Sequence, residues 1–411
     1  MSLPWRIALL VSLAIAISYL DRQTLPIAIG EIQREIPISN SVKAALDSAF
    51  LLTYGLMYVG GGRLMDVLGT SRGFLVIMIF WSLACASHGL AGGVVALAAS
   101  RLLLGAGEGG GFPAATRVVA EWFAPRDRAT AMGLINAGTG IGGMLAPPLI
   151  STIILNSHWL GLASWRWVFF LTGAMGLVWG AGWLALYRGP ARSQSPAPEP
   201  PPPILALLRF RETWGIVGAK FLTDAAWYFY MFWLPKYLLD ARGFDIKGIR
   251  SVAWIPFAAA AVGCVVGGGL SSWLLHRGYS VNAARKIALG LSAAVMPLVM
   301  LVPHVSVPWV IALFSVAFFG QQSWSTLVMT LPTDLFSKNA VGTVAGFVGL
   351  GGALGGVVLG QLAGWLLDHG FSYTPVLVIA GSLHVAAFLV ILATVRSLRP
   401  LPLTPPAHAV P

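Results

Sequence analysis

Long apolar runs separated by short polar stretches set the rhythm of this chain. A helix needs about 20 apolar residues to cross a bilayer. On that measure the pattern predicts spans at 6–29, 44–64, 73–92, 94–120, 128–154, 165–187, 212–238, 249–275, 284–303, 307–331, 340–367 and 372–396. Period-two alternation is absent, which argues against a membrane barrel. One stretch breaks the rhythm: 188–203, RGPARSQSPAPEPPPP, is polar, Pro-rich and unable to form a helix. It splits the spans six and six. The expected organisation is therefore an all-α membrane protein with twelve transmembrane helices in two pseudo-symmetric six-helix bundles. The first bundle covers 1–187, a linker 188–211, the second bundle 212–396 and a tail 397–411. The first span has no convincing small-residue cleavage site and continues past Asp21 and Arg22, so it reads as a retained helix, not a signal peptide.

Composition agrees. The 411 residues are 57% hydrophobic and only 10% charged, against about 25% charged in soluble chains. The net charge of +11 is better explained by Lys and Arg in the loops on one side of a membrane than by a phosphate-binding face, so nucleic acid is excluded as a partner. With the N-terminus in the cytoplasm, sixteen of the 26 basic residues fall on the cytoplasmic side and seven, Lys43 and Lys236 among them, on the outer side. That bias places both termini inside. Cys85 and Cys264 sit in apolar runs and act as small hydrophobes.

The halves echo each other. Gly60-Gly61-Gly62 closes the second span and Gly267-Gly268-Gly269 the eighth. The fifth span holds Gly138, Gly140, Gly142 and Gly143, and the eleventh Gly349, Gly351, Gly352, Gly355 and Gly356. Parallel repeats around a central site are a transporter architecture, and small residues let helices approach closely and slide.

Ionisable groups inside spans cost about 2.5 to 3.5 kcal/mol each on insertion scales, so each is expected to face a cavity or a partner. Asp21 and Arg22 differ by about 100° around the first helix and cannot point the same way. Arg22 shares a face with Tyr19 and suits a carboxylate clamp in a central cavity, while Asp21 points toward a neighbouring helix. The alternative is a neutral pair that only eases insertion. In the fourth span Arg101 and Glu108 lie about two turns apart on one face, among Gly105, Gly107, Gly109, Gly110, Gly111 and Pro113, which allow a kink. A carboxyl among apolar residues and glycine suits a site that loads and releases protons; the alternative is a bridge from Arg101 to Glu108 or Asp21 that holds helices together. In the seventh span Lys220 and Asp224, four apart, can pair with each other as a structural unit. Beyond them come Trp227, Tyr228, Phe229, Tyr230 and Trp233. The tenth span carries Gln321, Gln322, Ser323, Trp324, Ser325 and Thr326 at mid-depth. Amide, hydroxyl and indole groups there fit a polyhydroxylated ligand, although Trp and Tyr also anchor helices at interfaces. The seven histidines are scattered and no metal or nucleophile constellation appears, so neither metal, cofactor nor enzymatic chemistry is expected.

These residues resemble a known family. The run Gly62-Arg63-Leu64-Met65-Asp66-Val67-Leu68-Gly69-Thr70-Ser71-Arg72 resembles the signature loop of the major facilitator superfamily. Tyr19-Leu20-Asp21-Arg22 and Arg101 to Pro113 are similar to motifs of its anion:cation symporter branch, and span seven with Gln321-Gln322-Ser323-Trp324 looks most like the hexuronate transporters. The resemblance implies uptake of a sugar acid, a small carboxylate, across the bacterial inner membrane by a monomer driven by the proton gradient. It implies that Asp21 and Glu108 carry protons, and that Arg22 meets the substrate with Tyr19, Tyr54 and polar residues of spans seven, ten and eleven. Tyr228, Gln321, Gln322, Trp324 and Arg101 are the further candidates. It also implies that Asp66, with Arg63 and Arg72, latches the cytoplasmic side, flanked by Gly62 and Gly69. Val67 departs from the pattern, standing where that loop often has a basic residue. Sodium coupling, other carboxylates, and a membrane enzyme or a cationic-drug exporter are the competing readings. Arg22 and Arg101 speak against the exporter.

Overall fold

The computed structural model describes residues 2–123, 125–187 and 203–401, with the side chains of Val59, Gly62, Arg63, Asp66, Ala120, 125–130, Lys338 and Asn339 outside that description. Among the described residues the secondary structure is helical, without strands. In chain order the helices are α1 Leu3–Ile32, α2 Asn40–Ser87, α3 Val94–Glu108, α4 Gly111–Trp122, α5 Pro125–Asn156, α6 Ser164–Leu186, α7 Ile204–Leu207, α8 Arg211–Arg242, α9 Ile246–Val252, α10 Ile255–His276, α11 Val281–Ala294, α12 Val307–Val328, α13 Leu331–Leu335, α14 Lys338–Asp368 and α15 Thr374–Thr394. Eight stretches among them are long and apolar enough to cross a membrane by length and composition alone.

The helix ends follow from local chemistry. Proline sits in the first turn of α1, α10, α12 and α15, where its missing N–H costs nothing. Ser39 caps α2 by accepting from the Val42 N–H, and Asp245 caps α9 by accepting from the Gly248 N–H. α2 contains two crossings joined at Gly69, whose φ of 72° and ψ of 160° turn the chain where a side chain would be strained. The fourth crossing is broken at Gly109–Gly110, just after Glu108, so α3 and α4 share it. The eighth is split between α9 and α10, and the ninth continues from α11 into a 3₁₀ segment, Met296–His304.

Packing repeats between the halves. α1 packs on α5 and α6 as α8 packs on α14 and α15; α2 packs on α3 as α10 packs on α12. The halves meet where α2 crosses α14 and where α10 crosses α5, again equivalent pairs. The glycine faces explain how. A Cβ on Gly138 or Gly142 would overlap carbonyl oxygens of α1, and one on Gly355 would overlap the Phe221 carbonyl of α8. Gly143, by contrast, faces Phe257 of the other half at 2.7 Å from the Cβ position, and Gly364 faces the Asn40 carbonyl oxygen at 2.7 Å. One glycine edge builds each half, and the other lets the halves touch.

Contact between the halves is one-ended. Among the described residues the hydrogen bonds that join them are Asn40 and Ser41 N–H to the Asp368 carboxylate, at 2.8 and 2.7 Å, and Gln361 to Ser48 at 2.8 Å. Buried apolar packing is likewise continuous between the halves around Ile36, Phe50, Phe232 and Tyr373. At the opposite end the second half packs by itself around Trp324, Leu331 and Val344. Each half is also tied internally at that opposite end. Thr70 donates to Glu121 at 2.6 Å in the first, and Arg285 pairs with Asp334 at 3.0 Å in the second. The expected linker 188–211 lies outside the described residues as far as 202; Pro203 onward turns through α7 into α8.

Candidate functional site

At mid-depth of α1, Ser18 and Arg22 lie one turn apart on the face turned to α3. Arg22 Nε meets Glu108 Oε2 at 2.7 Å. Ser18 Oγ donates to the same oxygen at 2.8 Å, and Arg22 Nη2 donates to Ser18 Oγ at 3.2 Å. Arg22 is 2% exposed and Glu108 1%. The guanidinium is stacked by Tyr19 and Tyr54, each 4.4 Å from ring centroid to Cζ, with Phe50 at 5.8 Å. A Cβ on Gly105 would overlap the Phe50 carbonyl, so this glycine lets α2 press onto α3 and carry Phe50 and Tyr54 up to the arginine. The arrangement is a buried ion pair with aromatic walls and one shared hydroxyl, its partners drawn from two different helices. Such a pair is strongly held in low dielectric, yet exchangeable when one partner changes charge.

Asp21 points elsewhere, as the 100° step requires. Its carboxyl lies beside Thr172, Cys85 and Trp81 within the first half, fully buried. Arg101 takes neither of the partners considered for it. It reaches Asp47 at 3.1 Å, and Asp47 also holds Lys43 at 2.6 Å. Lys43, counted with the outer loop on the basis of the sequence, is fully buried, and Lys236 is 6% exposed; both are helix residues covered by the other crossings.

The second half presents a different set. Lys220 pairs with Asp224 at 3.0 Å on α8 and donates to Ser325 of α12 at 2.7 Å. Gln321 Nε2 donates to Asp224 at 3.3 Å, and Gln321 Oε1 accepts from His384 Nε2 of α15. Gln321 and Gln322 therefore part company: the first is 1% exposed and bound within the half, while the second lines a small central cavity with Tyr19, Thr139, Trp227, Phe257 and Cys264. Trp324 faces into its own half against His384 and Phe388, away from the cavity. Tyr228 lies where α8 meets α14 and α2, over Gly356. The cavity volume of about 10 Å³ accommodates about one water molecule, so the halves must part before anything larger enters.

Of the loop residues, Gly62 and the side chains of Arg63 and Asp66 lie outside the described residues. Gly69 makes the turn in α2, and Arg72 is exposed beside a shallow surface hollow lined also by Thr70, Glu121 and Tyr187. Ser18, Phe50, Asp47 and the contact between Gln321 and His384 had not been singled out from the sequence. Ser18 and Asp47 were both findable by four-residue spacing, from Arg22 and Lys43 respectively; the others depend on which helices become neighbours.

Residues 11–360 match the model of the Major Facilitator Superfamily. The chain belongs to this superfamily. It is a multi-pass membrane transporter, not an enzyme. The transporter is 31% identical to the hexuronate transporter of Escherichia coli (strain K12) over 392 residues, covering 90% of this chain and 89% of that protein. It is 33% identical to the galacturonate transporter of Dickeya chrysanthemi over 314 residues, covering 72% of this chain and 89% of that one. Among solved structures its fold is similar to a bacterial homologue of the human lysosomal transporter Spinster in an inward-facing, unoccupied conformation. The TM-score is 0.73 at 19% identity, with 97% of this chain and 96% of that one covered.

Proposed function

We propose that this transporter carries a sugar acid, a hexuronate such as galacturonate or glucuronate, into the bacterial cytoplasm together with protons, by alternating access between its halves. The names of its relatives support the substrate class. The observation that carries the mechanism is the Arg22–Glu108 pair, 2.7 Å apart and sealed between Tyr19 and Tyr54 beside the central cavity. A sugar-acid carboxylate and Glu108 are rivals for one guanidinium. When Glu108 takes a proton it ceases to hold Arg22 by charge, and Arg22 is free to clamp the incoming carboxylate. When the proton leaves to the cytoplasm, Glu108 reclaims Arg22 and the acid is expelled. A dry carboxylate without a partner costs several kcal/mol, so the exchange must be nearly complete in each state, which couples the two ligands. Asp21 serves as the second proton carrier, its carboxyl buried inside the first half. Gln322, Tyr228 and the Lys220–Asp224 pair meet the hydroxyls. The closed end around Asn40 and Asp368 is the outer one, both termini are cytoplasmic, the protein works as a monomer in the inner membrane, and the proton gradient is the energy source, with no cofactor.

The test is Glu108→Gln in proteoliposomes. The variant is expected to bind and exchange labelled galacturonate but to lose accumulation driven by an imposed pH gradient. Accumulation that persists in Glu108→Gln ends this assignment.

A further inference from the structure

A second cluster of buried charge lies about two helical turns from the central pair, toward the Asn40 end. Lys43 and Arg101 share the single carboxylate of Asp47, at 2.6 and 3.1 Å. All three are at most 3% exposed. Two cations and one anion leave an excess of positive charge, and it falls on Arg101, whose Nε and Nη1 are buried without any hydrogen-bond partner. An uncompensated buried charge is costly, and a fold that needed only rigidity would be better served by apolar residues.

The covering of this cluster is informative. Lys43 Nζ sits 4.2 Å from the Trp233 ring, and Arg101 Cζ lies 5.9 Å from Phe232. Both rings belong to α8, in the other half. Aromatic faces attract cations without neutralising them. Immediately beyond, the Asp368 carboxylate fastens Asn40 and Ser41 across the same junction. Parting of the halves at this end must therefore withdraw the two lids and the fastener together, and present Lys43 and Arg101 to the solvent of that side. On the inner side, Phe50 stands between the clusters, its ring 4.8 Å from Arg101 and 5.8 Å from Arg22. Arg101 and Glu108 are seven residues apart on α3, about 10 Å along the helix.

We propose that Lys43 and Arg101 form a separate anion-binding station at the outer mouth. It takes the carboxylate of the transported acid when the outer end is open and passes it by Phe50 to Arg22; Trp233 and Phe232 replace the anion when that end closes. This rests on the reading of the protein as an importer of a carboxylate. Asp47 holds the two cations in register and competes with the arriving anion.

The experiment measures galacturonate uptake by full-length protein in proteoliposomes for Lys43→Gln, Lys43→Arg and Asp47→Asn. Lys43→Gln leaves Asp47 paired with Arg101, so the buried charge is balanced. It is expected to raise KM about tenfold, equivalent to about 1.4 kcal/mol, with kcat within about twofold, and to flatten the fall of kcat/KM with added salt, because a steering charge has gone. Lys43→Arg is expected to restore both. Asp47→Asn, which removes the competitor, is expected to lower KM and steepen the salt dependence. Opposite signs for the two neutralisations are the signature. If both variants only lower kcat, or if KM and salt dependence of Lys43→Gln match wild type, the station is refuted while the central-site reading stands. If wild-type protein carries no sugar acid, both readings fall.

Discussion

The first half shares buried charges between helices, with the Lys43–Asp47 pair of α2 drawn into that network by Arg101, whereas the second holds its central pair along one helix. Arg22 of α1 meets Glu108 of α3, and Arg101 of α3 meets Asp47 of α2. Lys220 and Asp224 are both on α8, four residues apart, with Ser325 and Gln321 of α12 bonded to them. The difference has a physical consequence. A pair shared by two helices separates when the helices shift or when a third charge arrives. A pair on successive turns of one helix travels as a unit and keeps its partner through any rigid movement. The first half therefore contains parts that can switch, and the second a polar surface of nearly fixed charge.

The sharpest way to break this comparison is to remove one partner of the interhelical pair. Arg22→Ala leaves Glu108 buried alone, and is expected to cost about 3–5 kcal/mol of stability, visible as early thermal unfolding in detergent, and to abolish galacturonate binding. The double change Arg22→Ala with Glu108→Gln is expected to recover most of the stability and none of the binding. Equal unfolding of the single variant and wild type would show that the pair carries no such load. A smaller effect is expected in the second half. Lys220→Met with Asp224→Asn is expected to raise KM several-fold while leaving pH-driven accumulation in place; loss of accumulation in vesicles would move the switch to α8. The smallest effect belongs to Trp324→Phe. Trp324 is buried with its indole N–H unpartnered and packs only within its own half. A cost of about 1 kcal/mol in stability with KM unchanged is expected, and a large rise in KM would place the ring against the acid.

Much of this was legible before any coordinates. Apolar runs gave the helices because lipid leaves the backbone no partner but itself. The break beside Glu108 followed from Gly109 and Gly110, and the divergence of Asp21 from Arg22 from the helical step alone. The aromatic pair around Arg22 was half visible, since Tyr19 is on the same helix and Tyr54 entered only through the family resemblance.

Other features had no local signature. Lys43 looks like a loop cation because it opens α2, yet it is fully buried, with Trp233 from the other half over its ammonium group. Gln321 and Gln322 are adjacent in sequence, yet one serves the interior of its half and the other the cavity, since neighbouring residues on a helix point about 100° apart. Which arginine meets which acid was likewise undecided by spacing. Sequence determined that charges lie at membrane depth and on which face of each helix, because hydrophobic length and the helical repeat are local properties. Tertiary structure decided their partners, because a partner is whatever a glycine-lined crossing brings within 3 Å, as Gly105 brings α2 onto α3.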